Sequence, residues 1–168
     1  MTVLETERLF LRRFDVDDAQ FIVTLLNEPS FLRYIGDKKV RNVNDAQQYI
    51  LNGPIASYER NGFGLYLIEL RESHTPIGMC GLIKREELSD PDIGFALLPE
   101  FTNKGFAFEA ATAVLQDARE RLQRQRVLAI TTPDNEASIQ LLQRLGFRFE
   151  GVTRLSPDRE QVKLFTRD

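Results

Sequence analysis

The stretch Leu97-Leu98-Pro99-Glu100-Phe101-Thr102-Asn103-Lys104-Gly105-Phe106-Ala107-Phe108-Glu109-Ala110 reads as three pieces: a strand that ends at a proline, a short loop, and a helix that starts near Gly105. Pro99 has no N–H to give to a sheet ladder, so the strand stops there. At a helix start the unpaired backbone N–H groups and the positive end of the macrodipole point the same way. Gly105 has no Cβ to keep a ligand off the main chain, Ala107 keeps the next turn narrow, and Lys104 adds a positive charge. These features suit a pyrophosphate cradle. The same residues also serve ordinary capping and solvation, and the segment alone does not separate the two. It is not a G-x-x-x-x-G-K-[ST] loop, and Gly62-Phe63-Gly64 lacks the third glycine of a dinucleotide fingerprint, so ATP and NAD are disfavoured.

The strand before the loop alternates Asp92, Gly94 and Ala96 on one face with Ile93, Phe95 and Leu97 on the other. The small face forms either a shallow groove, in which an extended ligand pairs with strand backbone, or the seat of a helix packed over Gly94. After the loop, Phe106, Ala110, Val114, Ala118 and Leu122 predict one long helix over residues 104–125. Residues 126–131 follow as a short strand. Residues 135–145 form a helix with Asn135 placed to cap it, Ser138 one turn on, and Gly146 to stop it.

Towards the N-terminus, residues 9–14 read as a first strand. Asp15 then caps a helix whose apolar face is Phe21, Ile22, Leu25 and Leu26. A second helix turns Ala46, Tyr49 and Ile50 inward until Gly53-Pro54 breaks or kinks it. Residues 64–70 and 77–84 make a hairpin, and residues 149–154 and 161–166 close the chain as an antiparallel pair. The order β-α-α-β-β-β-α-β-α-β-β predicts an α+β fold around one mixed sheet. No linker, repeat or charge block interrupts it, so residues 1–168 are expected to form a single domain.

Composition narrows the function classes. A net charge of −3 with scattered Lys and Arg leaves no footprint for nucleic acid. The single Cys80 lies in an apolar run and reads as a buried thiol, and the single His74 cannot anchor a multi-histidine metal site. No apolar run approaches the ~20 residues of a membrane span. The first residues carry acids where a signal peptide has its apolar core. The expectation is a cytoplasmic protein with no metal.

At these residues the chain resembles the GNAT superfamily of acyl-CoA-dependent N-acetyltransferases, and most of all the branch that acetylates ribosomal-protein N-termini. Thr6-Glu7-Arg8-Leu9-Phe10-Leu11-Arg12 is similar to that branch's first strand. Asp92-Ile93-Gly94-Phe95 through Gly105-Phe106-Ala107-Phe108-Glu109-Ala110 is similar to its coenzyme motif, and Asn135 through Ser138 to Leu145-Gly146-Phe147 to the next one. The resemblance implies a mainly antiparallel sheet splayed between its fourth and fifth strands, flanked by helices, with acetyl-CoA as co-substrate. It implies that Thr102, Asn103, Lys104, Gly105, Phe106 and Ala107 hold the pyrophosphate. It also implies that the backbone of Phe95, Ala96 and Leu97 lines the pantetheine and that Asn135 contacts it. Two positions depart from the family pattern. Thr102 stands where Gln or Arg is frequent, and Leu142 stands where many members carry a tyrosine acid.

The chemistry needs a neutral amine, a polarised thioester carbonyl and a proton for the leaving thiolate. A lysine-type ammonium has a pKa of ~10.4 and an α-amine ~7.7–8.0, so an α-amine needs less help. A strand N–H near Leu97 is the expected polariser. Asp92 is the expected base, acting through a water, and Ser138 the expected donor to the thiolate; both residues also have ordinary structural uses. Glu28 and Asp37 are candidates for orienting a cationic acceptor. The expected function is acetyl transfer from acetyl-CoA to a primary amine, a peptide N-terminus or a small molecule, by a monomer or homodimer. The alternative, which Leu142 permits, is an acyl-CoA-binding sensor without turnover.

Overall fold

A computed structural model describes all 168 residues. Strands β1 (Thr2–Glu5), β2 (Leu9–Arg12), β3 (Leu65–Leu70), β4 (Pro76–Ile83), β5 (Asp92–Leu97), β6 (Val127–Thr131), β7 (Arg148–Thr153) and β8 (Val162–Arg167) form one sheet in the order β1-β2-β3-β4-β5-β6-β8-β7. Every neighbouring pair is antiparallel except β5 and β6, which run parallel. β4 and β5 pair along their length from Gly78 opposite Leu97 to Ile83 opposite Asp92, whereas β5 and β6 meet at a single position, Asp92 opposite Leu128. Beyond that position the two strands diverge, so the sheet opens like a V whose closed end is at Asp92. This is the splay implied by the resemblance, between strands that become the fifth and sixth once β1 is included.

Helices cover both faces. α5 (Phe106–Glu120) and α6 (Glu136–Arg144) lie on one side, where Ala110, Val114 and Leu142 pack with Ile93 and Phe165. On the other side are α1 (Ala19–Leu26), α2 (Pro29–Tyr34) and α3 (Val43–Ile50), where Ile22, Leu25 and Ile50 pack over Leu67 and Met79, while α4 (Ala56–Asn61) sends Tyr58 into the cluster of Ile93 and Phe165, stacked on Tyr66. The alternation of β5 divides as its residue pattern predicts: Ile93, Phe95 and Leu97 face the α5 side and Ala96 the other.

Several boundaries differ from the reading of the sequence. β1 was not anticipated, because a four-residue segment has no periodicity of its own and forms by pairing with β2. The first strand of the reading ends at Arg12 rather than at residue 14. Gly53-Pro54 does not stop the helix: residues 51–55 widen into a π-helical turn that absorbs the missing Pro54 donor, and α4 continues from there. α5 ends at Glu120, short of residue 125, because Gln123 takes a left-handed φ of 54° and the Arg124 N–H returns to the Ala118 carbonyl at 2.8 Å. Other local signals hold. Asp15 forms a capping box with Asp18, and Gly146, at φ 92°, closes α6 with the paired Gly146→Gln143 and Phe147→Leu142 bonds of a Schellman turn.

Candidate active site

A cleft of about 630 Å³ occupies the V between β5 and β6. Gly94, Phe95, Ala96 and Leu97 form one wall, and Ile130, Thr131 and Thr132 the other. Two ends can be distinguished. Thr102, Asn135 and Ser138 follow the C-terminal ends of the strands and stand at the open end, while Asp92 marks the closed end.

At the open end the loop geometry comes from two left-handed residues, Asn103 at φ 62° and Gly105 at φ 84°. This winding leaves the backbone N–H groups of residues 103–108 with no acceptor in the protein; the first amide of the region to bond is Glu109, to the Gly105 carbonyl at 3.0 Å. Consecutive free amides at the head of a fifteen-residue helix form a concave donor surface suited to an anion. The Thr102 hydroxyl donates to the Pro99 carbonyl at 2.7 Å, so that side chain holds the loop rather than facing a ligand.

A clamp that the sequence reading assigned no role to fixes this loop. The Glu109 carboxylate accepts from the Thr6 hydroxyl, from the Arg8 N–H at 2.9 Å and from Arg8 Nε at 2.7 Å. Arg8 Nη1 donates to the Lys104 carbonyl at 3.0 Å, and the guanidinium lies 4.3 Å from the centroid of the Phe106 ring. Turning the Lys104 carbonyl towards Arg8 keeps the neighbouring N–H groups on the opposite side. Burial pushes the Glu109 carboxyl upward, but the bonds from Thr6 and Arg8 outweigh it and hold the group below the usual range. An acid in the first turn of a helix is ordinary dipole compensation. Nothing local to Glu109 therefore signals a partner about a hundred residues away.

Along the wall, the Leu98 N–H donates to the Ile77 carbonyl at 2.9 Å. Alternation from that bond turns the backbone groups of Ala96 towards Met79 in β4 and those of Phe95 and Leu97 into the V. Of the three residues implied by resemblance, Phe95 and Leu97 thus offer main-chain groups to the cleft, and Ala96 offers its small side chain. A Cβ at Gly94 would meet the Ile83 Cδ1 at 3.1 Å and the Leu65 Cδ2 at 3.5 Å, side chains of β4 and β3 rather than of a helix. Asn135 caps α6 by accepting from the Ser138 N–H at 3.3 Å, while its amide nitrogen donates to no group in the protein. The Ser138 hydroxyl is unpaired, and the buried Thr132 hydroxyl in the opposite wall has no partner in the protein. Leu142 is 1% exposed and presents only carbon to the cleft.

At the closed end Asp92 is 1% exposed and its Oδ1 accepts from Arg85 Nε at 2.9 Å. Burial raises the Asp92 carboxyl above the ordinary carboxylate range, against the pull of Arg85. Tyr49 stands near Arg85 with its phenol pushed up to about 12 by burial. The two acids expected to orient a cation are not available for it. Glu28 stands outside the cleft, just before α2. Asp37 reaches the rim, but its carboxylate is taken by Arg41 Nη2 at 2.5 Å and by the Lys39 N–H at 2.7 Å. Cys80 is fully buried in the core, with its thiol raised to about 12 by burial. No helix is long and apolar enough to cross a membrane.

Residues 8–148 match the model of the Acetyltransferase (GNAT) domain. The chain is 30% identical over 154 residues to YoaA, an uncharacterized N-acetyltransferase of Bacillus subtilis, covering 90% of this chain and 86% of that protein. Among solved structures, an acetyltransferase from Agrobacterium tumefaciens superposes with a TM-score of 0.85 at 21% identity, covering 100% of this chain and 95% of the other. RimL, a ribosomal-protein α-N-acetyltransferase solved in complex with coenzyme A, superposes with a TM-score of 0.84 at 20% identity, covering 99% and 97%. With a family match that spans most of the chain and a sheet that opens at β5 and β6, this protein belongs to the GNAT family of acyl-CoA-dependent N-acetyltransferases.

Proposed function

We propose that the protein transfers the acetyl group of acetyl-CoA to a primary amine by direct attack within a ternary complex. The observation that carries this reading is the run of unpaired amides at residues 103–108, set at the mouth of a cleft whose inner wall is also unpaired strand backbone. These amides bind the pyrophosphate, and the main-chain groups of Phe95 and Leu97 take the amides of the pantetheine as an added strand would. The free amide nitrogen of Asn135 and the unpartnered Thr132 hydroxyl supply further contacts from the β6 side.

The acceptor nitrogen forms a bond to the thioester carbonyl carbon as the C–S bond breaks. A main-chain N–H of β5 that faces into the V stabilises the developing oxyanion. Asp92 accepts the proton lost by the acceptor, through a water, at the Oδ2 that Arg85 leaves free. The Ser138 hydroxyl donates a hydrogen bond to the departing thiolate, which takes its proton from solvent. Much of the rate comes from holding the two substrates together in the cleft.

Calorimetric titration with acetyl-CoA, with ADP and NAD as controls, tests the reading. One site per chain in the micromolar range, lost in Gly105→Glu, is the expected result; no heat and no thermal shift overturn it. A second reading, an acyl-CoA-binding module without turnover, is favoured by Leu142, which removes the tyrosine acid many members place there. Release of free thiol from acetyl-CoA in the presence of amines separates the two.

A further inference from the structure

The closed end of the cleft carries cations that the acetyl-transfer reading leaves unused. Lys38, from the segment after α2, Arg85, after β4, and Arg159, before β8, converge there from three parts of the chain. Neither Lys38 nor Arg159 pairs with any carboxylate, and Arg85 gives only its Nε to Asp92, leaving both terminal nitrogens free. All three line the one cleft, and the Lys38 ammonium is lowered by desolvation and by the charges of Arg85 and Arg159. Like charges gathered at one end of a cleft repel, and the arrangement gains most from an anion seated among them.

The acids of the region are paired or exposed to solvent. Asp37 is held by Arg41 and Asp92 by Arg85, while Glu87, Asp158 beside Arg159, and Glu160 at the rim are exposed. Nor do these cations stand where the pyrophosphate of coenzyme A is read to bind. That cradle is at the opposite, open end of the V, beyond the C-terminal ends of β5 and β6. What the closed end meets is the acceptor.

Resting on the acetyl-transfer reading, we propose that the acceptor is an amine bearing an anionic group, a carboxylate or a phosphoryl group, which Lys38, Arg85 and Arg159 bind while the amine faces Asp92. The acceptor is therefore an amino acid, a phosphorylated amine or the like rather than a polyamine. Tyr49 stands beside Arg85 and supplies apolar surface and a hydroxyl for the rest of the molecule.

Two measurements test this, and both begin with acetyl-CoA calorimetry on wild type and the Lys38→Met/Arg159→Gln double variant. In the first, protein saturated with coenzyme A, so that the cradle is filled, is titrated with malonate and with inorganic phosphate while unfolding is followed. A rise in Tm in wild type that is absent in the double variant is expected. The anion giving the larger rise identifies carboxylate or phosphoryl as the preferred group. In the second, kcat/KM is compared for matched amines: amino acids against their amides, phosphoethanolamine against ethanolamine, and spermidine as a polycation. The charged member is expected to exceed its neutral partner by about tenfold or more, with the ratio falling towards one in the double variant. Equal or better turnover of neutral amines or spermidine, or an anion effect that survives in the double variant, overturns the proposal while leaving acetyl-CoA binding intact. Absence of acetyl-CoA binding in wild type overturns the acetyl-transfer reading itself, and this proposal with it.

Discussion

The two ends of the cleft are built from different material. The open end is main chain: the free amides of residues 103–108 at the head of α5, wound by Asn103 and Gly105 and pinned by Arg8 and Glu109. The closed end is side chain: Asp92, Arg85, Lys38 and Arg159, set on a strand end and three connecting segments. Backbone groups are common to every residue, so the open end depends on conformation and tolerates most changes of side chain. The closed end depends on residue identity and is where specificity can vary without disturbing the fold.

The largest test of this contrast is Gly105→Glu. It forces a side chain into φ 84° with its Cβ 3.2 Å from Arg8 Nη2, and it brings a negative charge to an anion site. Acetyl-CoA affinity is expected to fall by more than about a hundredfold in calorimetry, with the strain costing about 1–2 kcal/mol of stability. Asp92→Asn addresses the other end. It is expected to lower kcat/KM by about a hundredfold at neutral pH with little change in acetyl-CoA affinity. Because burial raises the Asp92 carboxyl, wild type itself loses the base as pH falls through that raised value. The ratio of wild-type to variant rate therefore shrinks on the acid side, at a pH higher than an exposed carboxylate would give. A constant ratio across pH removes Asp92 from the mechanism.

Glu109→Gln loosens the clamp without touching the ligand. Affinity for acetyl-CoA is expected to drop by about tenfold, since hydrogen bonds to a charged group are worth roughly 1.5–3 kcal/mol. The folded-state carboxyl lies below its unfolded value, so its contribution to stability is present above about pH 4.3 and is lost as pH falls through the lower, folded value. The gap in Tm between wild type and Glu109→Gln should thus be full at neutral pH and close in strong acid. Asn135 separates capping from ligand contact. Asn135→Asp keeps an oxygen acceptor for the Ser138 N–H, so it should preserve Tm yet weaken acetyl-CoA binding, whereas Asn135→Ala should also lose about 1 kcal/mol of stability. Lys104→Ala is expected to change affinity least, by about threefold or less, because an exposed charge adds little to a donor surface made of amides. A loss as large as that of Gly105→Glu would show the open end to depend on side chains after all.

Local chemistry was legible in the sequence wherever it sufficed to shape the chain. Pro99 ending a strand, Gly105 opening a helix, Asp15 and Asn135 capping and Gly146 closing a turn each act within a few residues, and each is found in place. The alternation of β5 was legible for the same reason, since period two follows from strand geometry. Boundaries set by weak local preference were not: Gln123 turns left-handed without being a glycine, and Pro54 is absorbed by a π turn.

What only the tertiary structure decided is the company each residue keeps. Glu109 finds Arg8 and Thr6 from the other end of the chain because α5 packs beside β2, and the carbonyl of Lys104 is turned by that contact. Asp37, an acid near the start of the chain that suited a cationic acceptor in the sequence, is taken by Arg41, and Glu28 stands outside the cleft. Lys38, Arg85 and Arg159 carry no pattern linking them, yet the sheet and its connections gather them at one end of the V. The sequence alone determined the backbone-built half of the site, because hydrogen bonding and φ/ψ preference act between near neighbours. The charged half had to wait for the fold, because Coulomb forces depend on distance in space and not on separation along the chain.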